Sequence, residues 1–242
     1  MQAIRSAFFN AVFYLNLIVF MLVFSPLFFG PRSLAIWALK LWASSSVWLL
    51  EAIAGTRLEV RGRENIPRTA AVIAAKHQSL FETFAVLPLL ADPAMVLKRE
   101  LMMIPLFGWF ARKFRMIPVE RGAGATALLK LINRAHEAVR QGRQVLIFPE
   151  GTRKAPGAPP DYKRGATALY LKLGVPCVPL ALNSGLFWPR RKLMRYPGTI
   201  IFEFLPAIPP GLAKNEFAKR LQEALETKSS ELLAASVENN RH

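Results

Sequence analysis

The sequence predicts an α/β fold: a mixed, partly parallel sheet flanked by helices, preceded by an N-terminal two-helix membrane-attachment segment. Two observations support this prediction. From residue 56 onward, short β-rich runs alternate with helical patterns, which is typical of layered α/β domains. Before that point the chain is almost uncharged and strongly apolar. The 242 residues have room for one such domain, so we divide the chain into a hydrophobic anchor, 1–55, and an α/β domain, 56–242.

The anchor contains two apolar segments in succession. No residue from Ser6 to Pro31 is charged, and this stretch exceeds the roughly 20 residues that cross a bilayer as a helix. The second segment, Ser33 to Ala54, carries three of the five tryptophans, which favour the headgroup boundary. Either the first helix spans the bilayer or the pair forms a hairpin that dips into one leaflet. A buried hairpin of a soluble protein is the remaining alternative.

Seven β-rich runs and two long amphipathic runs make up the α/β domain. The run Ala125–Gln141 has an apolar stripe at helical spacing and ends at Gly142, and a second helix is predicted at Glu216–Ala234. The predicted strands are Arg57–Arg61, Ala70–Ala75, Ala94–Leu97, Met116–Val119, Val145–Phe148, Cys177–Leu182 and Thr199–Phe204.

The chain is strongly basic and also hydrophobic. It has 32 Lys and Arg against 16 acidic residues, a formal net charge of +16, which indicates an anionic partner. The mean hydropathy of +0.25 is high for a basic soluble protein that coats DNA, and therefore favours a lipid surface as the partner. Each basic residue near an anionic lipid surface contributes about 1 kcal/mol to binding. Because basic residues dominate everything after the apolar segments, we expect the main domain on the cytoplasmic side of the membrane.

Cysteine and histidine content limits the possible chemistry. The single cysteine, Cys177, excludes an intramolecular disulfide and a thiolate metal cluster, and its apolar surroundings predict a buried side chain. The three histidines are scattered, so we expect no metal site.

One histidine directly follows an apolar strand, where open α/β sheets bind ligands. This is His77, and Glu82 lies five positions later. Residues five apart on a regular helix point in different directions, so contact between them requires a bend. Ser79 and Glu82 form a capping-box pattern, which predicts that the helix begins after Ser79. The simpler alternative is a capped helix beside a loop histidine.

A second group of polar residues follows the strand that ends near Phe148. In Phe148–Arg153, Pro in the second position and Gly in the fourth suit a type I turn that exposes an acid, a hydroxyl and Arg153. Such a turn is either a phosphate or headgroup site or a plain surface turn. Lys98 and Arg121 also follow strand-like runs; they either point into the same cleft or are solvated basic residues.

These segments carry a resemblance to a known family. The His77-x4-Glu82 pair, Ile117–Arg121, Phe148–Arg153 and Val175–Pro179 occur in the order and spacing of the four motifs of the glycerophospholipid acyltransferase family. The FPEGTR motif is specific, and the other three gain weight from their order. The family usually has Asp where this chain has Glu82. Glutamate keeps the carboxylate and adds one methylene.

The resemblance implies transfer of a fatty acyl group to the sn-2 hydroxyl of 1-acyl-sn-glycerol 3-phosphate, giving phosphatidic acid for phospholipid synthesis. The donor would be acyl-CoA or acyl-ACP as a co-substrate, with no other cofactor. His77 would be the general base and Glu82 its carboxylate partner, with direct attack and no acyl-enzyme. The nucleophiles that could contradict this route are Ser79, Thr83 and Cys177.

The resemblance also implies an acceptor site at a bacterial inner membrane, whose anionic surface would attract the basic chain. Lys98, Arg121 and Arg153 would hold the phosphate. Glu150, Gly151 and Thr152 would complete the site, with Glu150 bonding a glycerol hydroxyl. The remaining alternatives are another acceptor (lyso-ornithine lipid, glycerol 3-phosphate or another lysophospholipid) and, more distantly, a non-enzymatic basic protein that tethers membranes.

Overall fold

A seven-stranded sheet forms the centre of the protein in the computed structural model, which describes residues 1–120 and 124–239. The strand order is β1-β7-β6-β2-β5-β3-β4, and every neighbouring pair is parallel except β6 and β7. The predicted mixed, partly parallel sheet is therefore confirmed, as are all seven strands. Their bounds are β1 Thr56–Arg61, β2 Ala71–Ala75, β3 Pro93–Lys98, β4 Ile117–Val119, β5 Gln144–Ile147, β6 Cys177–Leu182 and β7 Gly198–Phe204.

Eight helices flank the sheet in the described part of the chain. The predicted helix after residue 124 is confirmed: it ends before Gly142, whose φ of 74° is left-handed and costs glycine little. The last helix is longer than the predicted Glu216–Ala234. The bounds are α1 Gln2–Val23, α2 Arg32–Leu49, α3 Phe81–Ala85, α4 Phe107–Lys113, α5 Gly124–Arg140, α6 Arg164–Leu173, α7 Ser184–Phe187 and α8 Lys214–Asn239.

The two faces of the sheet pack against different helices. In β2, Ile73 and Ala75 lie in one hydrophobic cluster with α1, α2 and α3, whereas Val72 and Ala74 lie in another with α5, α6 and α8. This alternation follows from the two-residue period of a strand. Because β2 is covered on both faces, all its residues are apolar and buried.

The N-terminal helices share a core with the sheet on their inner side. Phe13 packs against Phe84 with ring centroids 5.4 Å apart, and Phe9 packs edge-on against Trp188 at 5.3 Å. Their outer side is apolar and exposed, including Phe8, Leu15, Ile18, Val19, Leu22, Trp37 and Trp48. Gln2–Val23 and Arg32–Ala54 are long and apolar enough to cross a membrane by length and composition. An exposed apolar surface of this size indicates membrane association.

Polar contacts attach both ends of this hairpin to the main domain. Near the start of α1, the Ser6 hydroxyl donates to the Arg195 carbonyl at 3.1 Å. At the start of α2, Arg32 donates to both carboxylate oxygens of Asp92 at 2.7 and 2.6 Å. Between the helices, Lys113 donates to the carbonyl of Gly30. Both ends of α1 therefore lie against the same domain.

The Asp92 carboxylate joins the hairpin to the sheet, so we expect it to contribute to the stability of the fold. Burial alone would raise its pKa, but the hydrogen bonds of Arg32 and the charge of Arg143 outweigh burial and lower it. Asp92→Asn should reduce the free energy of unfolding by about 1–3 kcal/mol at pH 7, because it leaves two guanidinium groups without their counter-ion. The contribution of an ionised Asp with a lowered pKa is lost as pH falls through that pKa, so wild type and variant should converge in acid.

Thermal unfolding in detergent from pH 7 down to pH 2 would measure this difference. Asp161→Asn is the matched control and should change stability little, since Asp161 pairs with Lys154 and Lys163 at the surface. An equal stability of Asp92→Asn and wild type at pH 7 would contradict the role of Asp92.

Candidate active site

The polar residues predicted to share a cleft lie at one edge of the sheet. The parallel strands β2, β5 and β3 are neighbours in that order, and their carboxyl ends lead into His77, Phe148–Arg153 and Lys98. Neighbouring strands are about 4.8 Å apart, so these three segments lie within two strand spacings. Arg121, one of the three basic residues predicted to hold the phosphate, lies outside the described residues.

Glu82 is the centre of the site, with a fully buried side chain. Its Oε1 lies 2.8 Å from Nδ1 of His77 and accepts the backbone N–H groups of Gln78 and Ser79, both at 2.7 Å. Its Oε2 accepts the Ser184 hydroxyl at 2.7 Å. The predicted contact between His77 and Glu82 is therefore present, and the chain turns tightly around the carboxylate to make it.

The capping-box prediction holds for the Glu82 half only. The Glu82 carboxylate accepts the Ser79 N–H, as a capping box requires. The Ser79 hydroxyl, however, accepts from the backbone N–H of Phe81 at 3.2 Å instead of from the backbone N–H of Glu82. The helix α3 begins at Phe81. Ser79 thus shapes the turn, while Glu82 both closes it and reaches the imidazole.

This geometry fixes the protonation pattern of the imidazole. A carboxylate can only accept, so Nδ1 of His77 carries the proton and Nε2 keeps a free lone pair. The Phe148 ring stacks on the imidazole with centroids 4.2 Å apart and an interplanar angle of 22°. Phe148 therefore restricts rotation of the ring, and this arrangement is compatible with the predicted role of His77 as a general base.

The turn after β5 has the predicted geometry. The Gly151 N–H donates to the Phe148 carbonyl at 2.9 Å, which closes the four-residue turn. The Gly151 φ of 64° is left-handed, which a residue with a Cβ adopts only with strain.

The turn does not expose its acid as expected, because Glu150 is buried, which argues against the expected contact of Glu150 with a glycerol hydroxyl. Its side chain is 1% exposed. Its Oε2 accepts the backbone N–H of His77 and its Oε1 accepts the Lys76 ammonium, both at 2.8 Å. Both carboxylate oxygens thus accept from the protein, and the burial of the side chain leaves little of either oxygen accessible to a glycerol hydroxyl. Glu150 supports the loop that carries His77.

A cavity of about 770 Å³ opens beside His77 and extends between the N-terminal helices and the sheet. Its basic and polar lining includes Lys98, Thr152, Arg153, Arg190 and Arg191, together with Tyr14 and Thr83. Its apolar lining includes Phe13, Leu17, Phe20, Leu39, Trp42 and Phe110. The imidazole thus lies in a pocket that combines an anion-binding part with a hydrocarbon-binding part.

None of the three conceivable nucleophiles is arranged to attack. Burial raises the pKa of the Cys177 thiol to about 12, and its predicted burial is confirmed. The Ser79 hydroxyl is buried in the turn, and the Thr83 hydroxyl donates to the Leu80 carbonyl at 2.6 Å. The geometry favours direct use of His77 as a base over a covalent intermediate.

Sequence reasoning did not identify four residues that contact the site. Ser184 supports Glu82, Phe148 stacks on His77, and Arg190 and Arg191 extend the basic lining. The Arg190 guanidinium also donates to the carbonyl of Arg153 at 2.7 Å. The only available signal for the arginines was their position in a short basic run after Trp188.

Residues 57–183, slightly more than half of the chain, match the family model described as Acyltransferase. This chain belongs to the acyltransferase family. It is 42% identical over 167 residues to a 1-acyl-sn-glycerol-3-phosphate acyltransferase of Pseudomonas aeruginosa, covering 69% of this chain and 65% of that protein. It is 31% identical over 180 residues to the chloroplastic 1-acyl-sn-glycerol-3-phosphate acyltransferase LPAT1 of Arabidopsis thaliana, covering 72% of this chain and 49% of that protein.

The fold is shared with a solved acyltransferase. The crystal structure of the 1-acyl-sn-glycerophosphate acyltransferase PlsC from Thermotoga maritima matches with a TM-score of 0.78 and 23% sequence identity. The match covers 96% of this chain and 99% of that one, so it includes the N-terminal helices. By sequence, the matched region spans 65% and 49% of these two curated relatives, which is less than two thirds of each.

The Glu82 contacts predict how strongly catalysis depends on the carboxylate. Glu82→Gln should lower kcat by about 10²–10⁴-fold, because an amide cannot accept at both positions and favours the wrong tautomer of His77. His77→Ala should abolish turnover with the fold intact. Glu82→Asp keeps the charge and should retain a substantial part of the activity.

Steady-state kinetics with a long-chain acyl thioester would measure these effects, with thermal unfolding as the control for folding. Near wild-type kcat in folded His77→Ala or Glu82→Gln would exclude the assignment.

Proposed function

We propose that this acyltransferase moves a fatty acyl group from acyl-CoA or acyl-ACP to the sn-2 hydroxyl of 1-acyl-sn-glycerol 3-phosphate, producing phosphatidic acid. The observation that carries the proposal is the position of the His77–Glu82 pair beside a cavity with both a basic and an apolar lining. Such a cavity suits an acceptor that has a phosphate and an acyl chain. The names of the Pseudomonas and Arabidopsis relatives agree with this acceptor.

The reaction requires one proton transfer, which His77 can perform. As the acceptor hydroxyl attacks the thioester carbonyl, its proton passes to Nε2 of His77. Glu82 stabilises the imidazolium through Nδ1. Collapse of the tetrahedral intermediate breaks the C–S bond, and the imidazolium returns the proton to the departing thiolate. The products are an ester and a free thiol, and His77 is again neutral.

The basic lining would bind the acceptor phosphate. Arg153, Arg190 and Arg191 offer planar guanidinium groups, which can donate two parallel hydrogen bonds to phosphate oxygens. Lys98 adds a flexible charge, although it also pairs with Glu100 at 3.1 Å. With Gly151 and Thr152 in the adjoining turn, these residues would place the glycerol near Nε2 of His77.

The lining of the cavity supports this acceptor over the alternatives. Lyso-ornithine lipid carries no phosphate, and its single carboxylate lies in the same headgroup as an ammonium, so it would offer the arginines a weaker anionic partner. Glycerol 3-phosphate has the phosphate but no acyl chain to occupy the apolar lining. A non-enzymatic tether requires neither the His77–Glu82 pair nor a cavity beside it. A lysophospholipid with a terminal phosphate matches all three features.

Arg153→Ala should raise the KM for 1-acyl-sn-glycerol 3-phosphate by about 10-fold or more, because a charge-assisted contact to phosphate contributes about 1.5–3 kcal/mol. The kcat should fall less than the KM rises. The assay pairs lysophosphatidic acid, glycerol 3-phosphate and lyso-ornithine lipid with acyl-CoA and acyl-ACP in turn. Arg140→Ala is the matched control, since Arg140 pairs with Glu137 on the exposed surface of α5.

Wild-type preference for lyso-ornithine lipid over lysophosphatidic acid would refute the proposed acceptor. An unchanged KM in Arg153→Ala would remove Arg153 from the acceptor site.

We further propose that the protein lies on the cytoplasmic side of a bacterial inner membrane, with α1 and α2 inserted as a hairpin into one leaflet. The contacts of Ser6 with Arg195, and of Lys113 with Gly30, support this arrangement. They hold the two ends of α1 against one domain, which a helix that crosses the bilayer could not satisfy. The exposed apolar side of the hairpin would then face acyl chains.

Single cysteines at the two ends of α1 distinguish the hairpin from a spanning helix. Ile4→Cys and Phe29→Cys replace exposed side chains, and the native Cys177 is buried, so background reaction should be low. A membrane-impermeant maleimide outside right-side-out vesicles should label neither position before detergent is added. Labelling of one position and not the other would show that α1 spans the bilayer.

A further inference from the structure

A buried ionic network lies directly behind the loop that carries His77. Lys76 precedes His77 in the chain and is 5% exposed. His77 lines the cavity on one side of the sheet, whereas Lys76 contacts the helix α8 on the other. The ammonium of Lys76 therefore lies close to the catalytic histidine in sequence but has different neighbours.

Glu150 connects this ammonium to the backbone of His77. Its Oε1 accepts from Nζ of Lys76 and its Oε2 from the N–H of His77, both at 2.8 Å. The position of the imidazole along the loop thus depends on where the Glu150 carboxylate is held. That in turn depends on Lys76.

Glu226 of α8 holds Lys76 from the other side. Its Oε1 accepts from Nζ of Lys76 and from the Tyr162 hydroxyl, both at 2.8 Å. Burial, followed by the hydrogen bond to Glu226, raises the pKa of Tyr162, so its hydroxyl remains a donor throughout the working pH range. The Tyr162 ring also lies 5.7 Å from the ammonium.

Stability alone is a poor explanation for this network. Burying an ammonium and a carboxylate costs several kcal/mol each, and a well-packed apolar group often stabilises a fold equally well. Two carboxylates around one ammonium leave a net negative charge beside the catalytic loop. A negative charge there favours the imidazolium that forms when His77 takes a proton.

We propose that Lys76, Glu226 and Tyr162 are positioning residues for the acyl transfer reaction. Through Glu150 they fix the place of the His77 loop, and through the charge of Glu226 they tune the basicity of the imidazole. The inference rests on the proposed function, since it requires His77 to act as the base.

The other charged groups around His77 remain the same in each test. Glu82 of α3 contacts Nδ1, Glu150 contacts the backbone N–H, and the Lys154 N–H donates to the His77 carbonyl at 2.8 Å. The cations that line the cavity are Lys98, Arg153, Arg190 and Arg191. Changes at Glu226 and Lys76 act against this constant background.

Glu226→Gln is the main test, because the Glu226 side chain is 27% exposed and its replacement leaves the ion pair of Lys76 and Glu150 intact. Its kcat should fall about 10-fold with little change in the acceptor KM, since displacement of a catalytic group is costly. The acid limb of kcat/KM should move to lower pH by about half a unit, because one carboxylate charge is lost. Glu226→Asp retains the charge and should retain the position of the limb.

Two further variants separate charge from packing. Glu223→Gln removes the same charge one turn earlier on α8, where Glu223 is exposed, and should match wild type. Tyr162→Phe removes only the donor to Glu226, so it should lower kcat several-fold without moving the acid limb. Lys76→Met removes the positive charge and should move the limb to higher pH, opposite to Glu226→Gln.

Thermal unfolding identifies any variant that fails to fold. If Lys76→Met does not fold, Glu226→Gln and Glu226→Asp still test the inference. Wild-type kcat and pH profile in Glu226→Gln, or a shift equal to that of Glu223→Gln, would overturn the inference. Movement of the limb in the same direction in Glu226→Gln and Lys76→Met would overturn it as well. Failure of the wild type to use lysophosphatidic acid would count against the proposed function alone. The variants would then be compared with whichever of glycerol 3-phosphate or lyso-ornithine lipid the wild type does use.

Discussion

The buried carboxylate of Glu82 is the contact on which the site depends. A carboxylate with no exposure is unfavourable unless its lone pairs are satisfied, and four donors from His77, Gln78, Ser79 and Ser184 satisfy them. Three of these donors come from a stretch of three residues, so the chain must turn around the carboxylate. Burial of the Glu82 charge therefore determines three features together: the path of the loop, the tautomer of the imidazole and the docking of α7.

The sheet places the His77–Glu82 pair next to the other motifs. Parallel strands bring their carboxyl ends to one edge, and β2, β5 and β3 are neighbours although residues 76–92 separate β2 from β3 and residues 99–143 separate β3 from β5. The antiparallel β7 runs the other way and brings no motif to this edge. The N-terminal helices complete the cavity from outside the sheet. In the proposed reaction a lipid acceptor would therefore reach His77 along an apolar surface.

The sequence predicted what local patterns determine. Apolar runs located all seven strands, and the Ser79–Glu82 pattern correctly indicated a bend that lets His77 and Glu82 meet. Residues that join the site from distant segments carry no such pattern. Ser184 lies 102 positions from Glu82, and Glu226 lies 150 positions from Lys76. Their roles depend on where α7 and α8 pack, which tertiary contacts decide. Arg190 and Arg191 were inconspicuous in a chain with 32 basic residues.

Glu150 shows why a motif residue can differ from its expected role. At the end of β5, an acidic side chain in a phosphate-binding motif would suggest contact with substrate, yet a carboxylate repels a phosphorylated acceptor unless its charge is balanced. Here the carboxylate is engaged inside the protein by the Lys76 ammonium and the His77 N–H, both at 2.8 Å. The loop of His77 is consequently held by two carboxylates, Glu82 at the ring and Glu150 at the backbone. In the proposed reaction Glu82 would control the proton and Glu150 the position of the loop, which leaves the cations of the cavity for the acceptor.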